Sequence, residues 1–197
     1  KTLYLTGKGT TPDYVIQYLL KANGVTTDDV TLEYKSEATE VVAALAEDNA
    51  AIGLLPQPFV TAAMAQNENL RVALDLTAEW DATQEEGGSR LVTGVTIART
   101  DFLEENEDAV KDFLAEHEES AAFTNENPEQ AAQWIAELEI VAKAPIAQKA
   151  IPACNITCID GNEMKDALGG YLSALYELEP TSIGGALPAD DFYYGAK

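Results

Sequence analysis

Apolar and polar positions switch period repeatedly along the first eighty residues. Residues 3–5 form a short β-prone apolar run. Val15, Ile16, Leu19 and Leu20 then recur at helical spacing, before Asn23-Gly24 closes that helix. Residues 30–34 alternate as a strand. Ser36 caps a helix whose buried side is Val41, Val42 and Leu45, and Asp48-Asn49 ends it. Residues 51–55 read as a buried parallel strand, 59–65 as a helix opened by Pro58, and 70–76 as a fourth strand. The order is strand and helix in alternation, the signature of an α/β layer with right-handed crossovers.

The pattern loosens after that. Residues 77–93 are polar around Trp80 and end in Gly87-Gly88-Ser89, which reads as a crossing between domains. Residues 91–98 return as a β-rich run. Asp101-x-x-Glu104 resembles a capping box opening a long helix with Phe102, Leu103, Val110, Phe113 and Leu114 on one side. Asn127-Pro128 restarts a helix with Ala131, Trp134, Ile135 and Leu138. A shorter helix is expected within 143–153, and an extended stretch over 154–159. The last helix is capped by Asp160 and striped by Met164, Leu168, Leu172, Leu175 and Tyr176, with Gly169-Gly170 marking a close approach. The tail from 181 is expected along a surface.

Charge narrows the function. The 197 residues hold 12 Lys and Arg against 34 Asp and Glu, a formal charge of −22. That field repels nucleic acid and anionic membrane surfaces. No apolar run is long enough to span a bilayer. Thirteen acidic residues and one Lys lie between Asp101 and Glu139, read as a solvated helix face that carries the lone His117. Cys154 and Cys158 either pair with each other or are small buried residues. Their spacing and the remote His117 make a poor zinc site.

The candidate chemistry sits in turns. Gly7 and Gly9 suit a tight turn, with Thr11 as helix cap and Pro12 at the first helical position. Thr10 and Asp13 fit a weak capping-box pattern. A turn at a strand's carboxyl end that leads into a helix N-terminus is where open α/β sheets take ligands. Thr10 and Thr11 add hydroxyls there. The plainer reading is a well-capped βα connection. Gln57, between two prolines, reads either as a second cleft residue at a neighbouring strand end or as a solvated loop residue. Trp80 either stacks on a ligand or plugs a lobe interface.

The strings Gly7-Lys8-Gly9-Thr10-Thr11-Pro12, Leu54-Leu55-Pro56-Gln57-Pro58-Phe59, Glu79-Trp80 and Gly88-Ser89-Arg90-Leu91-Val92, followed by Arg99-Thr100-Asp101-Phe102-Leu103, resemble the solute-binding proteins of bacterial ABC transporters. The resemblance is to the nitrate/sulfonate/taurine and thiamine-precursor group. It implies an α/β, two-lobe periplasmic-binding-protein-like (type II) fold with the second lobe complete and the first partial. Residues 1–78 would be the second lobe, 79–94 the hinge, and 95–197 the carboxyl half of the first lobe. The amino half of that lobe is expected to be lacking, which would expose apolar surface and favour a homo-oligomer. The resemblance assigns ligand contacts to Gly9, Thr10, Thr11, Gln57, Trp80 and Ser89, with Asn155 added. It implies capture of a small organic solute without cofactor, metal or catalysis, and delivery to ABC permease subunits. It also implies an extracytoplasmic setting, periplasmic or as a cell-surface lipoprotein. Two other readings share the fold. A pyrimidine-precursor synthase would need histidines and a cysteine-rich motif that this chain lacks. An effector-binding regulatory domain usually comes with a basic DNA-binding segment, also lacking.

Overall fold

The computed structural model describes residues 1–26, 28–84 and 88–196. In chain order its elements are β1 (Thr2–Leu5), α1 (Thr11–Ala22), β2 (Thr31–Tyr34), α2 (Ala38–Glu47), β3 (Ile52–Gly53), α3 (Phe59–Gln66), α4 (Leu76–Asp81), α5 (Thr100–Glu105), α6 (Glu107–Glu126), α7 (Pro128–Glu137), α8 (Ala144–Ala150) and α9 (Gly161–Leu178), with short 3₁₀ turns after α8 and α9. They fall into two compact units. One holds Lys1–Thr93 with Ile159–Lys197, and the other is Gly94–Cys158.

The first unit is built on a parallel sheet of order β2-β1-β3, with Leu3 opposite both Leu32 and Ile52. Leu5 and Val41 are fully buried, and Leu3, Val15, Leu19 and Leu45 nearly so, as their spacing predicts. Gly53 lets α2 approach the sheet: a Cβ there would lie 2.9 Å from Val41 Cγ1 and 3.0 Å from Leu45 Cδ1. A second cluster joins Val15 and Leu19 of α1 to Trp80 of α4 and to Tyr171 and Leu175 of α9. That packing draws residues 159–197 into the first unit. The compact units therefore divide differently from the expected 1–78, 79–94 and 95–197.

Two expected strands do not form. Residues 70–75 and 91–99 have no strand partner among the described residues, although the first alternates and the second is β-rich. Leu74 is 65% exposed and Ile97 81%. Alternation sorts side chains onto two faces, but a strand also needs a neighbour for its backbone groups. Leu76 instead opens α4, with the Asp75 carboxylate accepting from Thr77 N at 2.9 Å.

The second unit is helical. The long helix expected from Asp101 breaks at Asn106, whose φ of −134° ends α5 and precedes α6. Its core is small, consisting of Ala131, Ala132, Ala147 and Ile151 with half-buried neighbours from α7, α8 and the segment after them. Cys154 is exposed and the two cysteines form no disulfide with each other, so neither the pairing nor the buried alternative describes Cys154.

Candidate functional site

Because the sheet is parallel, all three strands deliver their carboxyl ends to one edge. Lys35 N donates to Leu5 O at 2.7 Å and Leu54 N to Tyr4 O at 2.8 Å, extending the ladder to that edge. Three connections meet solvent there: the turn over 6–10, Lys35-Ser36, and the Leu54-to-Pro58 segment.

The turn is closed around the carbonyl of Gly7, which accepts from Thr10 N at 2.9 Å and from Thr10 Oγ1 at 2.6 Å. Gly7 has φ +74°. A Cβ on it would lie 2.5 Å from Thr10 Oγ1 and 2.9 Å from Pro12 Cγ, so glycine is required. The cap sits one residue earlier than expected: Thr10 is the N-cap, and Thr11 and Pro12 are the first helical residues. The Thr10 hydroxyl is spent on Gly7, so no side chain of the usual kind caps α1. Asp13 takes that part. It is 4% exposed and accepts from Gly9 N at 2.7 Å, Gln17 Nε2 at 2.6 Å and Tyr34 OH at 2.6 Å. Burial, and then the Asp13 carboxylate, hold the Tyr34 phenol well above its usual ionisation range. The ammonium of Lys8 lies over the Tyr34 ring, 5.3 Å from its centroid.

Gln57 stands at the same edge, half-buried. Its Oε1 accepts from Thr61 Oγ1 at 2.8 Å and Thr61 N at 3.3 Å, which ties it to the start of α3. Trp80 and Ser89 lie deeper. Trp80 is 1% exposed, stacks on Tyr18 at 4.4 Å and packs on Tyr171 at 5.4 Å. Its Nε1 donates to Ser89 Oγ at 2.9 Å, and Ser89 donates to Gln84 Oε1 at 3.2 Å. Gln84 Nε2 closes the network on Tyr18 OH at 3.0 Å. In this conformation both residues are consumed by the core of the first unit. Asn155 belongs to the second unit and has φ +51°. The structure thus brings Gly9, Thr10, Thr11 and Gln57 to one edge, and sets Trp80 between α1 and α9 with Ser89 against Gly170 of α9.

Two contributors escaped the sequence reading. Asp13 was read only as a possible partner in a cap, because its Tyr34 donor is 21 residues away. Tyr171 was passed over for Leu172. The buried stripe of α9 is Ala167, Tyr171 and Leu175; Leu175 is as expected, while Ala167 and Tyr171 each precede by one position an expected leucine. The i, i+4, i+8 spacing of those three was the available signal.

Residues 1–131 match the family model described as NMT1/THI5 like. The chain belongs to the NMT1/THI5-like family. The match spans the Gly7–Thr11 turn, Gln57, Trp80 and Ser89; Asn155 and Tyr171 lie beyond it. Among solved structures, an ABC transporter protein from Parabacteroides distasonis superposes with a TM-score of 0.75 at 25% identity. The alignment covers 98% of this chain and 65% of that one, so this NMT1/THI5-like chain spans about two thirds of the neighbour's length. The α/β fold with a parallel sheet is the one the two share. No curated protein sequence matches the chain.

Proposed function

We propose that this chain is the solute-binding component, or part of it, of an ABC importer, capturing a small organic solute and presenting it to a permease outside the cytoplasm. The observation that carries the reading is the turn at the sheet's carboxyl edge. A glycine-closed loop leads into the start of a twelve-residue helix, with Gln57 on the neighbouring strand end. Membership of the NMT1/THI5-like family and the likeness to an ABC transporter protein support it. The mechanism is capture, in which a lobe closes on the solute and the closed state is favoured by its extra contacts. Selectivity then follows from polar groups that stay unpaired with the wrong solute, at about 1–3 kcal/mol each. Trp80 and Ser89 act in this reading by holding the segment around them against α1. The first unit corresponds to the second lobe, and the exposed extended segments are where chains associate.

A thermal-shift screen of sulfonates, nitrate, thiamine precursors, flavins and polyamines tests this. A true solute at a hundred times its dissociation constant adds about 2.7 kcal/mol of stability. Thr11→Ala and Gln57→Ala should each diminish that shift. A solute whose shift survives both substitutions would remove the assigned site. The absence of any shift across the panel would remove the solute-binding reading.

A further inference from the structure

A cavity of about 300 Å³ lies at the other edge of the sheet, beside the amino end of β3. Its walls come from the residues that follow two helices. Asp48, Asn49 and Ala51 come after α2, and Asn67, Asn69 and Leu70 after α3; Leu45 joins them from the last turn of α2. The two helix ends are built alike. The ladder of α2 closes with Asp48 N donating to Ala44 O at 3.2 Å, and that of α3 with Asn67 N donating to Ala63 O at 2.9 Å. Each cap side chain then accepts from the backbone two residues on. Asp48 Oδ1 accepts from Ala50 N at 2.8 Å, and Asn67 Oδ1 from Asn69 N at 3.0 Å. Each cap carbonyl accepts from the next residue, Ala51 N at 3.0 Å and Leu70 N at 3.1 Å. Two helices therefore finish at one cavity with matching turns. The last carbonyls of a helix lie beyond its ladder, and that end carries a partial negative charge.

The side chains add charge of the same sign. Asp48 is the ionised group of the lining, and it spends one carboxylate oxygen on Ala50. It has no ion-pair partner among the described residues. From Ser36 to Leu70 the sequence holds five acidic residues and no Lys, Arg or His. Arg71 is the first base after them, and its side chain is not part of the lining. Such a place stabilises a cation. One carboxylate is too few hard oxygen ligands for a bare divalent metal, and the volume is that of a small organic molecule. The amides of Asn49, Asn67 and Asn69 supply oxygens for N–H donors, and Leu45, Ala51 and Leu70 supply apolar wall for carbon.

We propose that this cavity binds a primary aliphatic amine in its ammonium form. The NH₃⁺ group donates to the second oxygen of Asp48 and to amide oxygens around it, while the alkyl chain lies on Leu45, Ala51 and Leu70. No residue lines both this cavity and the turn before α1, so an amine here and a solute at the carboxyl edge bind independently.

The test is amide NMR on the ¹⁵N-labelled chain at constant ionic strength, with n-propylammonium, 1-propanol and tetramethylammonium as probes. 1-Propanol keeps the alkyl chain without the charge, and tetramethylammonium keeps the charge without an N–H donor. The signals of Asn49, Asn67 and Asn69 should move saturably with n-propylammonium alone. Asp48→Asn keeps an acceptor for Ala50 N, so it should melt at the parent's temperature. It should weaken n-propylammonium binding about fivefold, the upper value of one exposed ion pair. Asn67→Asp adds a carboxylate while keeping the acceptor for Asn69 N, and should tighten binding by a similar factor. Tetramethylammonium moving the same signals to the same extent would mean a general counterion atmosphere and overturns the proposal. Equal movement with 1-propanol overturns it as well, since the charge would then not matter. So does equal movement of Glu116 and Glu119 on α6, which would mean adsorption to any acidic surface. A flat response to n-propylammonium, or an Asp48→Asn response equal to the parent's, has the same consequence.

Discussion

The hydrogen bond from Tyr34 to Asp13 gives the first strand-to-helix turn a pH signature. The phenol ionises above its usual value in the folded protein, chiefly because it is buried and then because it faces Asp13. A group whose folded value is raised contributes fully below its unfolded value, near pH 10, and loses that contribution as pH climbs toward the folded value. Stability should therefore fall above about pH 10. Tyr34→Phe should flatten that fall and lower stability at neutral pH by about 1–3 kcal/mol, because one donor to a buried carboxylate is lost. Urea unfolding at pH 7 and across the alkaline range reads both effects, and an unchanged alkaline slope would count against the assignment. Gly7 makes a second residue-scale prediction. Gly7→Ala forces a left-handed φ on alanine and drives its Cβ into Thr10 and Pro12, so a loss of about 1–3 kcal/mol is expected.

At the scale of elements, α9 offers a matched pair. A Cβ on Gly170 would collide with Ser89, side chain and backbone alike, whereas one on Gly169 meets only the Tyr193 hydroxyl at 3.5 Å. Gly170→Ala should cost about 1–3 kcal/mol as an overpacked contact. Gly169→Ala should be neutral or stabilising by up to about 1 kcal/mol, from helix propensity. Melting temperatures of the two variants decide it; equal losses would mean that the close approach of Ser89 is not what demands glycine. The glycine pair was visible in the sequence, but which member carries the contact was not. The same limit runs through the other elements. The stripes of α1 and α2 were legible because local periodicity states which face is buried. Residues 70–76 carried a strand's alternation and 91–98 a β-rich composition, yet the partner that a strand needs is not encoded in its own residues. At the site, the glycine turn and Gln57 could be located from local spacing. Asp13 and Tyr171 could not, because what makes them matter lies on β2 for Asp13 and on α1 and α4 for Tyr171.

At the scale of the molecule, charge and exposed apolar surface oppose one another. A net −22 works against compaction and association at low salt. Raising ionic strength past about 0.1 M screens charges beyond roughly 10 Å, so the melting temperature should climb with sodium chloride. The same screening frees Val72, Leu74, Val95 and Ile97, all exposed outside helix and strand, to drive self-association. Sedimentation velocity should show salt-dependent oligomers, reduced by Leu74→Lys with Ile97→Lys. Oligomers that persist unchanged in the double variant would place the contact elsewhere. One buried ring has a further practical consequence. The chain's two tryptophans differ sharply: Trp134 is 46% exposed in the second unit, while Trp80 is sealed among Tyr18, Ser89 and Tyr171. Replacing Trp134 by phenylalanine leaves Trp80 as a lone fluorophore in the core of the first unit, so the protein can report the melting of that core by its own ultraviolet emission, with no dye attached.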